Sequence, residues 1–362
     1  MKLVERLILI TISLLLCLMV LAGCQNQSEP DYATSADEQT QIQMNIVDGK
    51  KVIVDCLGRT VEIPEQINKI AAMHIYGVKM IFAMQLQDKA AFQLGIGHDF
   101  DKMAELDEFY ASLPASPAQG NGSTITESLL ALDVNLVLTN ANNGPEEADT
   151  YANAGIAAIA VQGETFDQVY ETARLLGFIF DCDDRAEELI NFINAKLETV
   201  TQRVADIKDK DKPVVMVCGT GGIYTCASSE MFQDEMIETA GGINAGQDLP
   251  GSQWAKINAE DIISWDPDYI ILSNSCTEAD LEEILNDPAL STVSAVKNGQ
   301  VYIFPSTLGW WDFPLPQSML GIIWTATIIH PDIFSDIDML SLANEIYLFM
   351  YGYSYSELGG TL

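Results

Sequence analysis

His74 and Tyr76, two positions apart, are side chains suited to specific chemistry. An imidazole beside a phenol can ligate haem iron or another transition metal, or it can hydrogen-bond an organic ligand or the backbone. The hydrogen-bonding use asks less of the pair and is the one expected. His98 is a third such candidate. Polar and aromatic residues join them: Asn140, Asn142 and Asn143, then Thr220, Tyr224 and Ser228, then Trp254, then Ser273 and Asn274, and last Trp310, Trp311 and Asp312. Amides and hydroxyls orient a solute and indole faces enclose it, which suits binding more than turnover. The sequence has no Gly-x-Ser-x-Gly elbow, no Gly-x-Gly-x-x-Gly loop and no phosphate loop ending in Lys-Ser/Thr. The run Gly219-Thr220-Gly221-Gly222 reads as backbone that lets a ligand approach closely. With three His in all, scattered, no closed metal site, resident cofactor or catalytic residue is expected.

These residues follow apolar runs at 70–73, 136–139, 157–161, 214–218, 269–273 and 301–304, which read as buried parallel strands. Helical patterns fall between them, at 78–84, 127–132 and 232–239, so the fold class is α/β with mostly parallel sheets. In such sheets ligands lie beyond the carboxyl ends of the strands, where the candidates sit. The middle of the chain differs. A helix over 165–180 is followed by a longer one from Asp183 to about Ile207, with Leu189, Ile193, Leu197, Val200, Val204 and Ile207 on one stripe. It reads as a strut joining two α/β lobes. His330, before Pro331, reads as a helix C-terminal cap.

Residues 126–138 align without a gap to residues 259–271, so that Glu127 matches Glu260 and Asp133 matches Asp266. Each copy reads as an acidic residue at a helix start, a short helix, an Asp turn and a buried strand. Duplication of one lobe accounts for the register.

Together with the stretch Asp55-x-x-Gly58-Arg59-x-Val61-x-Ile63-Pro64, the repeat makes the chain resemble the substrate-binding lipoproteins of ABC importers for iron complexes and vitamin B12. The resemblance covers about residues 50–355. It implies the helical-backbone periplasmic-binding fold and a monomer that serves a permease dimer with its ATPase subunits. It also implies that Glu127 and Glu260 dock one on each permease subunit. Tyr224, Trp254 and Trp310 or Trp311 match aromatic cleft positions of the B12-binding member. Many siderophore binders of the family carry arginines in the cleft. Here Arg6, Arg59, Arg174, Arg185 and Arg203 are the only arginines, and none falls in a predicted strand-end loop. A strongly anionic complex is therefore disfavoured, and a neutral ferric hydroxamate, corrinoid or haem fits better. A molybdate-type oxyanion, held by backbone N–H groups, stays open.

The 362 residues carry 18 Lys and Arg against 52 Asp and Glu, a net charge of −34 that excludes nucleic acid as partner. At the amino end Lys2 and Arg6 precede an apolar run over 7–21, short of the ~20 residues of a membrane span. The run closes in Leu21-Ala22-Gly23-Cys24, which resembles a bacterial lipoprotein box. The expected organisation is a signal peptide (1–23), a tether (24–45) lipidated at Cys24, a first lobe (46–182), a connecting helix (183–210) and a second lobe (211–362). The protein is thus read as held outside the cell by its lipid. Cys56, Cys182, Cys218, Cys226 and Cys276 remain in the body without a CxxC pair and read as small buried hydrophobes. The rival readings are a non-transport surface lipoprotein and an enzyme on a similar fold.

Overall fold

The computed structural model describes residues 41–93, 101–116, 122–251 and 253–362, with the backbone alone at 122–124. The expected signal peptide, Cys24 and His98 lie outside these residues. An antiparallel ribbon, β1 (Gln43–Val47), β2 (Lys50–Val54) and β3 (Thr60–Glu62), opens the fold. β1 begins inside the stretch read as tether. Asp48 and Gly49, both at positive φ, make the two-residue turn that matches strand twist. A parallel sheet follows in the order β4 (Lys69–Ala72), β5 (Val134–Asn140), β6 (Ala157–Val161). Its helices are α1 (Ile75–Ala83), α2 (Met103–Leu106), α3 (Glu108–Ser112), α4 (Gly122–Ala131), α5 (Pro145–Asn153) and α6 (Phe166–Phe180). Leu136, Val137, Leu138 and Ile159 are wholly buried, as a sheet covered on both faces requires.

The strut is α7 (Asp183–Val204), about 33 Å long at ~1.5 Å per residue. Leu189, Ile193, Val200 and Val204 are buried along it, whereas Leu197 and Ile207 are only partly so. It ends earlier than the sequence pattern suggests. Ile207 N donates to Val204 O, a tightened last turn, and 209–211 form a separate 3-10 turn that swings the chain into the second sheet.

The second half comprises β7 (Val214–Cys218), β8 (Thr225–Cys226), α8 (Phe232–Thr239), β9 (Ile243–Asn244), β10 (Ala255–Lys256), α9 (Ala259–Trp265), β11 (Tyr269–Leu272), α10 (Glu278–Asn286), α11 (Ser294–Asn298), β12 (Val301–Ile303), α12 (Met319–Ile329) and α13 (Met339–Tyr351). Its parallel sheet runs β12-β11-β7-β9, with Val217 opposite Ile271 and Ile271 opposite Tyr302. α7 packs against α6 on one side and against α8 and α12 on the other, so both lobes share its apolar stripe. His330 caps α12, as its place before Pro331 suggests. The last helix, α13, has no counterpart in the sequence reading and packs against α1 of the first lobe.

The repeat survives folding. Asp133 and Asp266 both adopt left-handed backbone, at φ 61° and 43°, and Leu129 and Ile262 are both buried. One detail departs from expectation. Glu260 lies in the first turn of α9, but α4 begins at Gly122, which leaves Glu127 in its second turn.

The stretch Asp55-x-x-Gly58-Arg59 has a structural cause. Asp55 is wholly buried; its carboxylate accepts from Leu57 N (3.1 Å), Arg59 N (2.9 Å), Arg59 Nη1 (3.0 Å) and Ala160 N (3.1 Å). It thereby ties the β2–β3 connection to β6. Asp55→Ala strands three backbone donors and takes from Arg59 its buried carboxylate, leaving it Asp149 and Ala158 O, so urea unfolding should show a loss of about 3–5 kcal/mol.

Candidate functional site

A cavity of about 140 Å³ opens at the carboxyl ends of the second sheet. Thr220 reaches it from the loop after β7, Ser273, Asn274 and Ser275 from the loop after β11, and Trp310, Asp312, Phe313 and Pro314 from the segment after β12. Met231, Phe232 and Gln233 line it from the start of α8, and Trp254 and, from the first lobe, Glu164 complete the lining.

Each group is held from behind. Gly219 is required beside Trp254, because a Cβ there would lie 2.3 Å from the indole. Asn274 spends its side chain on structure: Oδ1 accepts from Trp311 N (3.1 Å) and Nδ2 donates to Ser306 O (3.2 Å). Its backbone N donates to Asp312 Oδ2 (3.0 Å), which fixes the carboxylate. Burial pushes the Asp312 carboxyl up to about 6, against the opposing pull of the bonds from Asn274 and Ser273. Gln233, 4% exposed, donates Nε2 to Asp312 O (2.7 Å), while its Oε1 is buried without a partner. Glu164 donates its backbone N to Gln168 Oε1 (2.6 Å) and accepts from Asn142 Nδ2 (3.0 Å). Burial raises the Glu164 carboxyl above its ordinary range, and the Asn142 bond opposes this. Phe166 of α6 meets Phe232 edge-on at 5.6 Å, and Glu235 accepts from Phe166 N (3.3 Å), joining the two lobes there.

The cavity is lined by carboxyl, hydroxyl and amide groups and aromatic faces, and no Lys or Arg side chain lines it. The arginines of the described residues are engaged elsewhere: Arg59 with Asp55 and Asp149, Arg174 with Glu187, Arg185 with Glu188 and Arg203 with Asp336.

Of the residues singled out from sequence, Thr220, Trp254, Ser273, Asn274, Trp310 and Asp312 line the cavity. Asn142 acts on it through Glu164. Trp311 does not: it is wholly buried, its ring against Tyr355 at 5.8 Å, because the backbone turns it inward at the position after exposed Trp310. Ser228 is buried and donates to Gly251 O, a loop clasp. Tyr224 turns away and donates to Asp287. Asn140 accepts from Asn142 N (3.0 Å) and caps a 3-10 turn. His74 is the N-cap of α1, with Nδ1 accepting from Gly77 N (3.2 Å), and burial pushes its imidazole down to about 4. Tyr76 donates to Gln168 O (3.0 Å), and a Cβ on Gly163 would meet its ring at 2.7 Å. Sequence reasoning passed over Glu164 and Gln233. Glu164 follows the strand at 157–161, so the strand-end rule reaches it; Gln233, on a helix, gives no such signal. The five cysteines of the described residues are free thiols.

A family model described as periplasmic binding protein matches residues 103–308. The molybdate-binding protein MolA of Haemophilus influenzae is 25% identical over 333 residues, spanning 84% of this chain and 92% of that protein. A periplasmic solute-binding protein of Veillonella parvula has a structure similar to this one, with TM-score 0.67, 28% identity, and coverage of 86% of this chain and 96% of that one. The CeuE protein of Helicobacter pylori, in its nickel–histidine complex, gives TM-score 0.69 at 19% identity over 86% of this chain and 98% of that one.

The raised carboxyl of Asp312 carries a pH signature. A fold that favours the protonated acid gains stability below pH ~4 and loses it as pH rises through about 6. Asp312→Asn should therefore be more stable than wild type at pH 8, by on the order of 3 kcal/mol. The difference should vanish near pH 4 when melting temperatures are compared across that range.

Proposed function

The chain belongs to the periplasmic binding protein family; it is an extracytoplasmic solute-binding protein of an ABC importer, and we propose that its cargo is a compact metal complex, of siderophore type, with a neutral or positive outer surface. The observation that carries this is the acceptor set of the cavity. Asp312, Glu164 and Gln233 line a space with no cationic side chain, which favours a ligand that brings N–H or O–H donors of its own. At ~5 Å and an effective dielectric of ~20, each like-charge contact costs about 3 kcal/mol, which weighs against a dianion. Trp254, Trp310 and Phe313 offer faces to an apolar or cationic rim. Among the described residues no three His, Cys, Asp or Glu side chains gather as a metal cage, which favours a complex over a bare ion. A cavity of about 140 Å³ is small for a whole haem or corrinoid and suits the donor-bearing end of a complex.

Lipid on Cys24 and a tether reaching towards residue 42 would hold the protein at the membrane surface. The support is Leu21-Ala22-Gly23-Cys24, and no helix among the described residues is long and apolar enough to cross a membrane. Cys24→Ala should shift the protein from the membrane fraction to the supernatant on fractionation.

The cargo is tested by intrinsic Trp fluorescence during titration with a ferric hydroxamate, nickel–histidine, cobalamin, haemin, a ferric catecholate and molybdate in turn. Saturable quenching is expected from a neutral or cationic complex, weakened at least tenfold by Asp312→Asn or Glu164→Gln. Tight binding of molybdate, the ligand named for the Haemophilus relative, or of the catecholate would replace this reading.

A further inference from the structure

Five thiols in the body of the chain read from sequence as small buried hydrophobes, and for three of them the fold agrees. Cys56 is buried and donates to Ala160 O (3.1 Å), and burial pushes its thiol up to about 12. Cys182 stands alone at the start of α7, its thiol also raised by burial. Cys226 is wholly buried on β8, where a Cβ on Gly246 would lie 2.7 Å from its sulfur, and burial pushes it up to about 12. Cys218 and Cys276 are placed otherwise.

Cys218 ends β7, and Cys276 sits in the loop between β11 and α10. The sheet brings them together. Cys218 pairs with Leu272 across β7 and β11, and Ser273 N donates to Cys218 O (2.8 Å). Cys276 N donates to Ser273 O (2.9 Å), which folds the loop back onto the end of β7. Cys276 Sγ then lies 3.8 Å from Gly219 O and 4.0 Å from Cys218 O, and the two thiols are in hydrogen-bond contact. Cys218 is wholly buried and Cys276 half-buried, so solvent reaches the pair through the second. The bond from Cys218 holds Cys276 below the ordinary thiol range, with Ser275 adding to it and burial, Asp280 and Asp312 opposing. The same bond, with burial, raises Cys218. Both cysteines adjoin the cavity: Thr220 and Ser275 line it, and Thr220 Oγ1 donates to Ser275 Oγ (3.5 Å).

A half-exposed thiol against a buried one is the arrangement of a nucleophile with its resolving partner. We propose that Cys218 and Cys276 are a disulfide-forming pair, closed outside the cell by exchange with a small-molecule disulfide. The Cys276 thiolate attacks one sulfur of that molecule. Its S–S bond breaks, one thiolate departs and takes a proton from water, and Cys276 is left in a mixed disulfide. Cys218 Sγ then attacks Cys276 Sγ, and its proton passes to the second departing thiolate. Two protein thiols are oxidised to one disulfide, and the small disulfide is reduced to two thiols. The bond fastens the end of β7 to the loop after β11, beside Thr220 and Ser275 of the cavity. The proposal rests on the extracytoplasmic placement given above, where disulfides persist, and on no choice of cargo.

The test is thiol trapping of the full chain: cells are quenched in acid and alkylated, and the purified protein is digested with trypsin. Cys218 and Cys226 share one tryptic peptide and Cys276 lies on the next, so C218S and C226S separate the two candidate links. The cross-linked peptide is expected in wild type and in C226S, and absent from C218S and C276S. Reduced protein treated with oxidised glutathione should regain it, with a melting temperature about 4 °C or more above the reduced form. C218S and C276S should show no such rise. Melting temperatures of the reduced proteins report folding; should C218S fail to fold, C276S, at the half-buried position, carries the comparison. Free thiols in the cell with ready closure by oxidised glutathione would overturn the extracytoplasmic placement and leave the pair standing. No cross-link under either condition, a link to Cys226, or glutathione left on Cys276 alone would overturn the pair.

Discussion

The chain passes from its first sheet to its second once, along α7, and the site between them depends on how that helix is gripped. Its apolar stripe is shared by α6 before it and by α8 and α12 after it. Near its start Arg185 donates Nε and Nη2 to Ala83 O (3.1 and 2.7 Å) and Nη2 also to Phe349 O (3.1 Å), with the guanidinium over the Phe349 ring at 4.5 Å. One cation thus satisfies carbonyls at the ends of α1 and α13, groups that a helix cannot pair internally. Phe349 in turn stacks on Phe192 of α7 at 3.8 Å. A helix packed in this way on both its neighbours resists bending.

Electrostatics gives the cavity its character. In a chain of net charge −34, cations are scarce, and the arginines of the described residues are spent on internal pairs. A general field of this sign would favour the approach of a neutral or positively charged solute over an anionic one. Keeping Asp312 and Glu164 in a poorly solvated wall costs stability, and both carboxyls are raised in consequence. That cost is tolerated at a place where a bound donor would offset it.

The architecture was legible because its signals are periodic. Apolar strand runs marked both parallel sheets, and the stripe from Leu189 to Val204 marked the strut. The match of Asp133 with Asp266 anticipated a shared left-handed turn. The site was legible only to the level of loops. Placement after a strand predicts that a residue is near the cavity but not which way it points. Adjacent Trp310 and Trp311 therefore read alike and part company in the fold, one at the cavity and one in the core. His74 was open to a metal, an organic ligand or the backbone, and it bonds the backbone as a helix cap, a role that depends on where α1 begins. Gln233 could not be found at all, since its value lies in an acceptor left over after Asp312 O takes its amide N–H.

The carboxyl end of the chain closes the molecule in a second way. Thr361 and Thr307 exchange backbone and side-chain bonds beside the segment that leads to Trp310, while α13 covers α1 far earlier in the sequence. The lobes are thus distinct in architecture but not in assembly. A half-chain ending at the strut would lack the α13 cover on α1, and a second half made alone would expose the face of α13 that α1 covers. The two lobes are therefore tied together by the end of the chain as well as by α7.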